Sequence, residues 1–224
     1  MVPLPDAVLF DLDGTLVDTE PYWIDAEHAL AREHGASWTH DDALSIVGMA
    51  LLDAAAVLRS HGIALTEPAI VAHMVGEVCA RLDRHVPWQP GAHDLVSALA
   101  AAGVPCALVT MSYTEIADRL IAHAPPGAFA AVVTGDTVRH GKPHPEPYLT
   151  AAAKLGVNPD RCVAVEDSPT GLASATAAGT RPLAVPHIVP IPAAPGLSRV
   201  PSLTVVGLDD LGAIAAGTPL DLLA

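Results

Sequence analysis

Two acids one residue apart close the apolar run Val8-Leu9-Phe10-Asp11-Leu12-Asp13, and Gly14-Thr15-Leu16 follows at once. Alternate residues of a strand share a face, so Asp11 and Asp13 can address one ligand. Gly14 lets the chain turn away past a closely approaching group. Two further apolar runs end on polar residues: Cys106-Ala107-Leu108-Val109 stops at Thr110, and Cys162-Val163-Ala164-Val165 stops at Glu166-Asp167. Carboxylates converging on one crevice repel one another and hold protons unless they are neutralised. A hard divalent cation with oxygen ligands is the simplest remedy, and magnesium suits a site that leaves positions for water and phosphate. Lys142, constrained between Gly141 and Pro143, can neutralise both a carboxylate and an incoming phosphate. The Thr110 hydroxyl and the backbone N–H groups from Met111 onward complete a phosphate cradle. In such a site one carboxylate attacks phosphorus and forms an aspartyl-phosphate. A second protonates the leaving oxygen and later activates water, while metal and lysine stabilise the charge on the transferring oxygens.

Each feature has an ordinary reading when taken alone. An acidic turn, a strand-end hydroxyl, a solvated lysine and a helix cap at Ser168 account for them singly; only their joint occurrence at strand ends describes a site. The elements that would hold them are short apolar strands at about 6–10, 105–110, 131–134, 162–166, 182–185 and 203–206. They read as strands covered on both faces. Helices alternate with them. After Pro90-Gly91, residues Ala92, Leu95, Val96, Leu99 and Ala102 share a face up to Gly103, and 114–123, 146–155, 169–178 and 208–215 are similar. Such alternation implies right-handed crossovers and a parallel sheet, whose ligands bind beyond the carboxyl ends of the strands.

Between the first and second strands lie roughly 95 residues with no strand signal, read as helices near 20–34, 40–47, 50–61 and 67–85. Asp18 or Thr19 is placed to cap the first, with Pro21 in its opening turn. This block reads as an inserted all-helical cap over the strand ends, able to close on a substrate. The domain expectation is an α/β core of residues 1–17 and 90–224 and a cap of 18–89. Residues 186–201 carry five prolines and read as an extended loop, and the chain from 216 onward as surface.

The bulk properties narrow the function. The 224 residues are 51% hydrophobic and 16% charged, with a formal net charge of −14. That charge disfavours nucleic acid and anionic membranes as partners, but a local cation still permits a small anionic substrate. No segment reaches ~18 uninterrupted apolar residues, so no membrane span is expected; the richest stretch, 43–58, is broken by Asp53. There is no basic segment before the first apolar stretch and no small-residue cleavage site, so no signal peptide is expected. Cys79, Cys106 and Cys162 have neither disulfide nor zinc spacing, and a reducing cytoplasm is the expected location. The prolines around His140 and His144 argue against a zinc-binding helix there. Arg81 and Arg84 read as solvated face in preference to substrate contact, His187 as surface, and Tyr22 and Trp23 as either pocket wall or packing.

Asp-Leu-Asp-Gly-Thr-Leu at 11–16, Thr110 after its strand, Gly-Lys-Pro at 141–143 and Glu-Asp-Ser at 166–168 resemble the four motifs of the haloacid dehalogenase-like hydrolases. They stand in that family's order across about residues 7–185. Asp18-Thr19-Glu20, Pro90-Gly91, Pro145 with Tyr148, and Pro169-Thr170-Gly171 resemble its phosphatase and β-phosphoglucomutase-like branch, which has a Rossmann-like core and a helical cap. The resemblance implies Asp11 as nucleophile and Asp13 as general acid/base. It implies magnesium held by Asp11, the Asp13 backbone carbonyl, Asp167 and Glu166, and phosphate held by Thr110, Met111 and Lys142. A monomer is common in this branch.

Mutases of this branch carry a histidine where this chain has Trp23, and a phosphate-anchoring arginine near the position of Leu51. Their absence favours hydrolysis of a small phosphorylated metabolite over a sugar-phosphate mutase. Dehalogenases lack the second aspartate, so Asp13 argues for phosphoryl chemistry. A non-catalytic phosphometabolite-binding protein is the remaining alternative, and the intact Asp11/Asp13 pair speaks against it.

Overall fold

In the computed structural model, which describes residues 3–223, runs of small and β-branched residues form one parallel sheet. Its strands are β1 (Ala7–Phe10), β2 (Cys106–Val109), β3 (Phe129–Val133), β4 (Cys162–Glu166), β5 (Arg181–Ala184) and β6 (Ser198–Arg199), in the order β3-β2-β1-β4-β5-β6. Every residue of β1, β2 and β4 is buried, as their unbroken apolar runs require. Side-chain alternation divides them between two layers. Val8, Phe10, Leu108 and Val165 face α5 (Ala92–Ala101), α6 (Thr114–His123) and α9 (Leu208–Ala215). Ala7, Leu9, Ala107 and Ala164 face α7 (Glu146–Leu155) and α8 (Pro169–Ala177). The chain winds outward from β1 through β2 to β3, then crosses back to β4 on the other side. That reversal opens a crevice beyond the carboxyl ends of β1, β2 and β4, where such sheets bind ligands.

Four helices separate β1 from β2: α1 (Glu20–Glu33), α2 (His40–Ser45), α3 (Leu51–Ser60) and α4 (Glu67–Leu82). Leu30, Leu58, Ile70, Met74 and Val78 pack them together, and their apolar cluster is continuous with one face of the sheet. Thr39 starts α2 with a reciprocal capping box to Asp42. The chain enters and leaves this helical block along adjacent paths: Asp18 N–H donates to the Pro87 carbonyl at 2.8 Å, and Gln89 N–H to the Leu16 carbonyl at 2.8 Å.

Two sequence expectations are corrected. Residues 203–206 are not a strand; Leu203–Val205 is a 3₁₀ turn capped by the Ser202 hydroxyl. Leu203 and Val206 are buried three residues apart while Val205 is exposed, which is the period of a tight helical turn. The sixth strand is instead Ser198–Arg199, inside the segment read as loop. The tail is on the surface but pinned: Leu222 N–H donates to the Arg199 carbonyl at 2.8 Å, and the Arg199 guanidinium pairs with Asp221 at 2.8 Å. His187 is on the surface as expected, with its Nε2 2.9 Å from Asp18 Oδ1.

Candidate active site

β1 delivers Asp11 and Asp13, β2 delivers Thr110, β4 delivers Glu166 and Asp167, and the loop before α7 reaches across with Lys142. The Asp11 N–H donates to the Val165 carbonyl at 3.0 Å and the Thr110 N–H to the Val133 carbonyl at 2.9 Å, so the sheet pairing holds each strand end in register. Gly14 has φ +81°, and a side chain there would run into the Asp167 carboxylate. The glycine is therefore demanded twice, by conformation and by approach.

Lys142 organises one half of the site. Its Nζ donates to Asp11 Oδ1 at 2.6 Å, Glu166 Oε1 at 2.6 Å and the Val109 carbonyl at 2.8 Å. Burial works against its charge, but Asp11 and Glu166 outweigh that and hold the ammonium above its ordinary range. Glu166 is fully buried and also accepts from the Tyr148 hydroxyl at 2.6 Å and the Ser168 hydroxyl at 3.1 Å. Ser168 additionally caps α8 by accepting from the Gly171 N–H at 3.0 Å. Burial pushes Asp11 up to about 7 against the pull of Lys142, with Glu166 and Asp13 adding repulsion. Asp167 rises well above the carboxylate range, through burial first and then Asp11, Glu166 and Glu20, and no hydrogen bond among the described residues offsets this. Asp11, Glu166 and Asp167 each present an oxygen within 4.8 Å of the others.

Asp13 points into the other half. Its Oδ1 accepts from the Thr19 hydroxyl at 2.5 Å and the Trp23 indole at 3.2 Å; its Oδ2 accepts from the Ser112 hydroxyl at 2.6 Å and Thr110 at 3.3 Å. Thr19 therefore occupies the N-cap position of α1 without capping it, and the alternative cap, Asp18, faces His187. The Thr110 hydroxyl also accepts from the Ser112 N–H at 2.9 Å. Met111 lies beside Lys142, with the Lys142 N–H directed at its sulfur at 3.2 Å.

Above these groups lies a cavity of about 170 Å³ whose floor is Asp11, Asp13, Thr110, Met111, Lys142 and Asp167. Trp23, Ile24, Met49 and Leu51 of the helical block form its walls, and Ile188 and Val189 of the proline-rich loop close one side. Trp23 is thus wall and hydrogen-bond donor together. Tyr22 stays outside, stacked with Arg81 at 5.6 Å. Arg81 pairs with Asp25, and Arg84 bonds the Ala80 carbonyl. His140 and His144 lie 4.8 Å apart beside Glu146, outside the carboxylate trio. Ser112 is absent from the sequence-based candidates, and Tyr148 and Glu20 stand there without a role, named only for their family resemblance. Ser112 had a readable signal, two residues beyond Thr110 on the same face; the partnership of Tyr148 with Glu166 and the burial of Glu20 had none.

Comparison with known proteins identifies the family. The family model described as haloacid dehalogenase-like hydrolase matches residues 5–179. Hexitol phosphatase A of Escherichia coli strain K12 is 36% identical over 179 residues, covering 79% of this chain and 81% of that protein. The bifunctional riboflavin kinase/FMN phosphatase of Arabidopsis thaliana is 31% identical over 188 residues, 83% of this chain; the chain spans about half, 49%, of that protein's length. The crystal structure of CbbY from Rhodobacter sphaeroides in complex with phosphate aligns with a TM-score of 0.83 at 26% identity, covering 92% of this chain and 100% of that one. With the family model matching residues 5–179 and a relative 36% identical over most of both chains, the chain belongs to the haloacid dehalogenase-like hydrolases.

Proposed function

We propose that this protein is a magnesium-dependent phosphatase that hydrolyses a small phosphorylated metabolite through an aspartyl-phosphate on Asp11. The observation that carries the reading is the Lys142 ammonium bonded to Asp11 beside two further buried carboxylates, at the floor of the cavity. Relatives named as phosphatases support the reaction class.

The donor set fits a divalent cation. Three buried carboxylates face one ammonium, and Asp167 has no hydrogen-bonding partner among the described residues. Asp11 and Asp167 would offer side-chain oxygens and Asp13 its backbone carbonyl. Glu166, already accepting from Lys142, Tyr148 and Ser168, would complete the set while anchoring Lys142. Magnesium, when bound, supplies positive charge for the oxygens of the transferring phosphoryl group.

The chain's own groups then divide the work. Lys142 fixes Asp11 through Oδ1 and leaves Oδ2 to attack phosphorus. As that bond forms, the bond to the ester oxygen breaks, and Asp13 gives the departing oxygen a proton. Water next attacks the phosphorus of the aspartyl-phosphate and passes a proton to Asp13, which frees phosphate and restores Asp11. Thr110, the Met111 N–H and Lys142 would hold the phosphoryl oxygens, with the Thr110 hydroxyl turning from Asp13 to do so. Residues 18–89 act as the cap that excludes water, a role supported by the two adjacent crossing segments and by the cavity they roof.

The mutase alternative has less support. Lys142 is the single cation among the described residues lining the cavity, so no second phosphate is anchored. Three free, buried cysteines favour a reducing location such as the cytoplasm. Among the described residues no helix is long and apolar enough to cross a membrane. The net charge of −14 favours a small substrate over nucleic acid, and the site is complete within one chain, as a monomer requires. Purified protein with magnesium should release phosphate from p-nitrophenyl phosphate, and chelation with EDTA or Asp11→Asn should abolish the release. Turnover that persists in Asp11→Asn would overturn the nucleophile assignment.

A further inference from the structure

Glu20 takes no part in the reaction above. It opens α1, is 8% exposed and lines the cavity. No hydrogen bond to its carboxyl group is made within the described residues. Thr19 on one side of it and Trp23 one turn on both donate to Asp13, so Glu20 belongs to the turn of α1 that wraps the general acid. The wall beyond it is apolar, made by Ile24, Val47, Met49 and Leu51. A buried carboxyl group without a partner is unfavourable, and the open space before it is the cavity where a leaving group would sit. Burial, with like charge from Asp13, Asp11 and Asp18, pushes Glu20 up to about 8. A carboxyl group there accepts a hydrogen bond from an incoming hydroxyl, and in its protonated form it also donates one.

We infer that Glu20 is a specificity-determining residue that binds a hydroxyl on the carbon next to the ester carbon, so that the enzyme selects phosphate monoesters of vicinal diols over those of plain alcohols. Asp13 meets the ester oxygen, and the neighbouring position on α1 meets the first polar group further along the leaving alcohol. The inference rests on the phosphatase reading.

The test compares glycerol 3-phosphate with propyl phosphate, which lacks the hydroxyls. The wild type should favour glycerol 3-phosphate by at least about tenfold in kcat/KM, the discrimination expected when a site built for a hydroxyl meets an analogue without one. Glu20→Ala should collapse that ratio to within about twofold, chiefly through KM, as the loss of a ground-state contact does. Glu20→Gln, which keeps a donor and an acceptor, should restore most of it. Equilibrium binding of both esters to Asp11→Asn, with and without Glu20→Ala, should give the same ratios without turnover. A wild-type ratio near one, or equal losses on both esters in Glu20→Ala, would overturn the inference alone. Failure of the wild type to hydrolyse any phosphomonoester would remove the phosphatase reading and this inference with it.

Discussion

Replacing Glu27 by Gln should stabilise the protein at alkaline pH and leave it unchanged at acid pH. Glu27 is 5% exposed on α1, and its Oε2 accepts from the Trp38 indole at 3.2 Å. Burial pushes its acid from the ordinary 4.5 up to about 7, and the indole bond pulls the other way less strongly. In the unfolded chain the same group ionises near its ordinary value. Between those two values the native state holds a proton that the unfolded state has lost, so folding free energy falls as pH rises. Below pH 4.5 both states are neutral and nothing is lost; above pH 7 the full penalty is present. The displacement is worth about 3 kcal/mol at 1.36 kcal/mol per pKa unit. That figure is a ceiling, because Glu27 also borders the cavity and water there relaxes part of it. Glutamine keeps the acceptor for Trp38 and never ionises. Urea unfolding at pH 4.5 should therefore find Glu27→Gln within about 0.5 kcal/mol of wild type, the usual reach of a neutral substitution. At pH 8.5 it should be more stable by about 2–3 kcal/mol, or about 4–12 °C in melting temperature for a chain of this size. A difference independent of pH, or a loss at pH 8.5, would refute the account, because Glu27 would then be ionised in the folded protein and held by a charge absent from its surroundings as described.

Two further substitutions probe the catalytic floor. Ser112→Ala removes the 2.6 Å bond to Asp13 Oδ2, and loss of a hydrogen bond to a charged group costs about 1.5–3 kcal/mol. We expect kcat on p-nitrophenyl phosphate to fall about tenfold or more with KM within about twofold, the pattern of a group that positions the acid; an unchanged kcat would remove Ser112 from that role. Gly14→Ala forces a side chain onto a left-handed backbone and into the Asp167 carboxylate. Turnover should fall at least about a hundredfold and the rise in melting temperature produced by magnesium in the wild type should vanish. A preserved magnesium-dependent rise would contradict the placement of the ion beside Asp167.

The parts of this protein that could be read before its structure are the local ones. An apolar run that stops at Asp11, Thr110 or Glu166 carries its own strand and its own strand end, and Lys142 is marked by the glycine and proline that confine it. The two-residue strand Ser198–Arg199 has no such run and exists only because β5 offers an edge and the tail a second partner. Conversely, Leu203-Thr204-Val205-Val206 has strand-forming composition, yet tertiary packing buries its apolar residues three apart and bends it into a turn. The same division holds within the site. Tyr148 and Glu166 lie 18 residues apart on different elements, and only the packing of α7 against the sheet brings hydroxyl to carboxylate. Glu20 stands in the sequence only as the last residue of the Asp18-Thr19-Glu20 motif at a helix start; its lack of a donor among the described residues is a property of the assembled cavity.

Asp13 shows why the sheet alone does not complete the site. Two of its four donors, Thr110 and Ser112, come from the end of β2; the other two, Thr19 and Trp23, come from the first turn of α1. Each carboxylate oxygen is served by one side only, Oδ2 by the core and Oδ1 by the helical block. Asp11 differs: Lys142, the Val165 carbonyl and the neighbouring carboxylates that define its surroundings all belong to the core. On the proposed reaction, the attacking group is thus set by the sheet, whereas the proton-transferring group is oriented jointly by sheet and helices. Because the helical block also contributes the cavity walls, Glu20, the residue proposed to select the leaving group, lies on the same turn of α1 as Thr19 and Trp23, which bond Asp13.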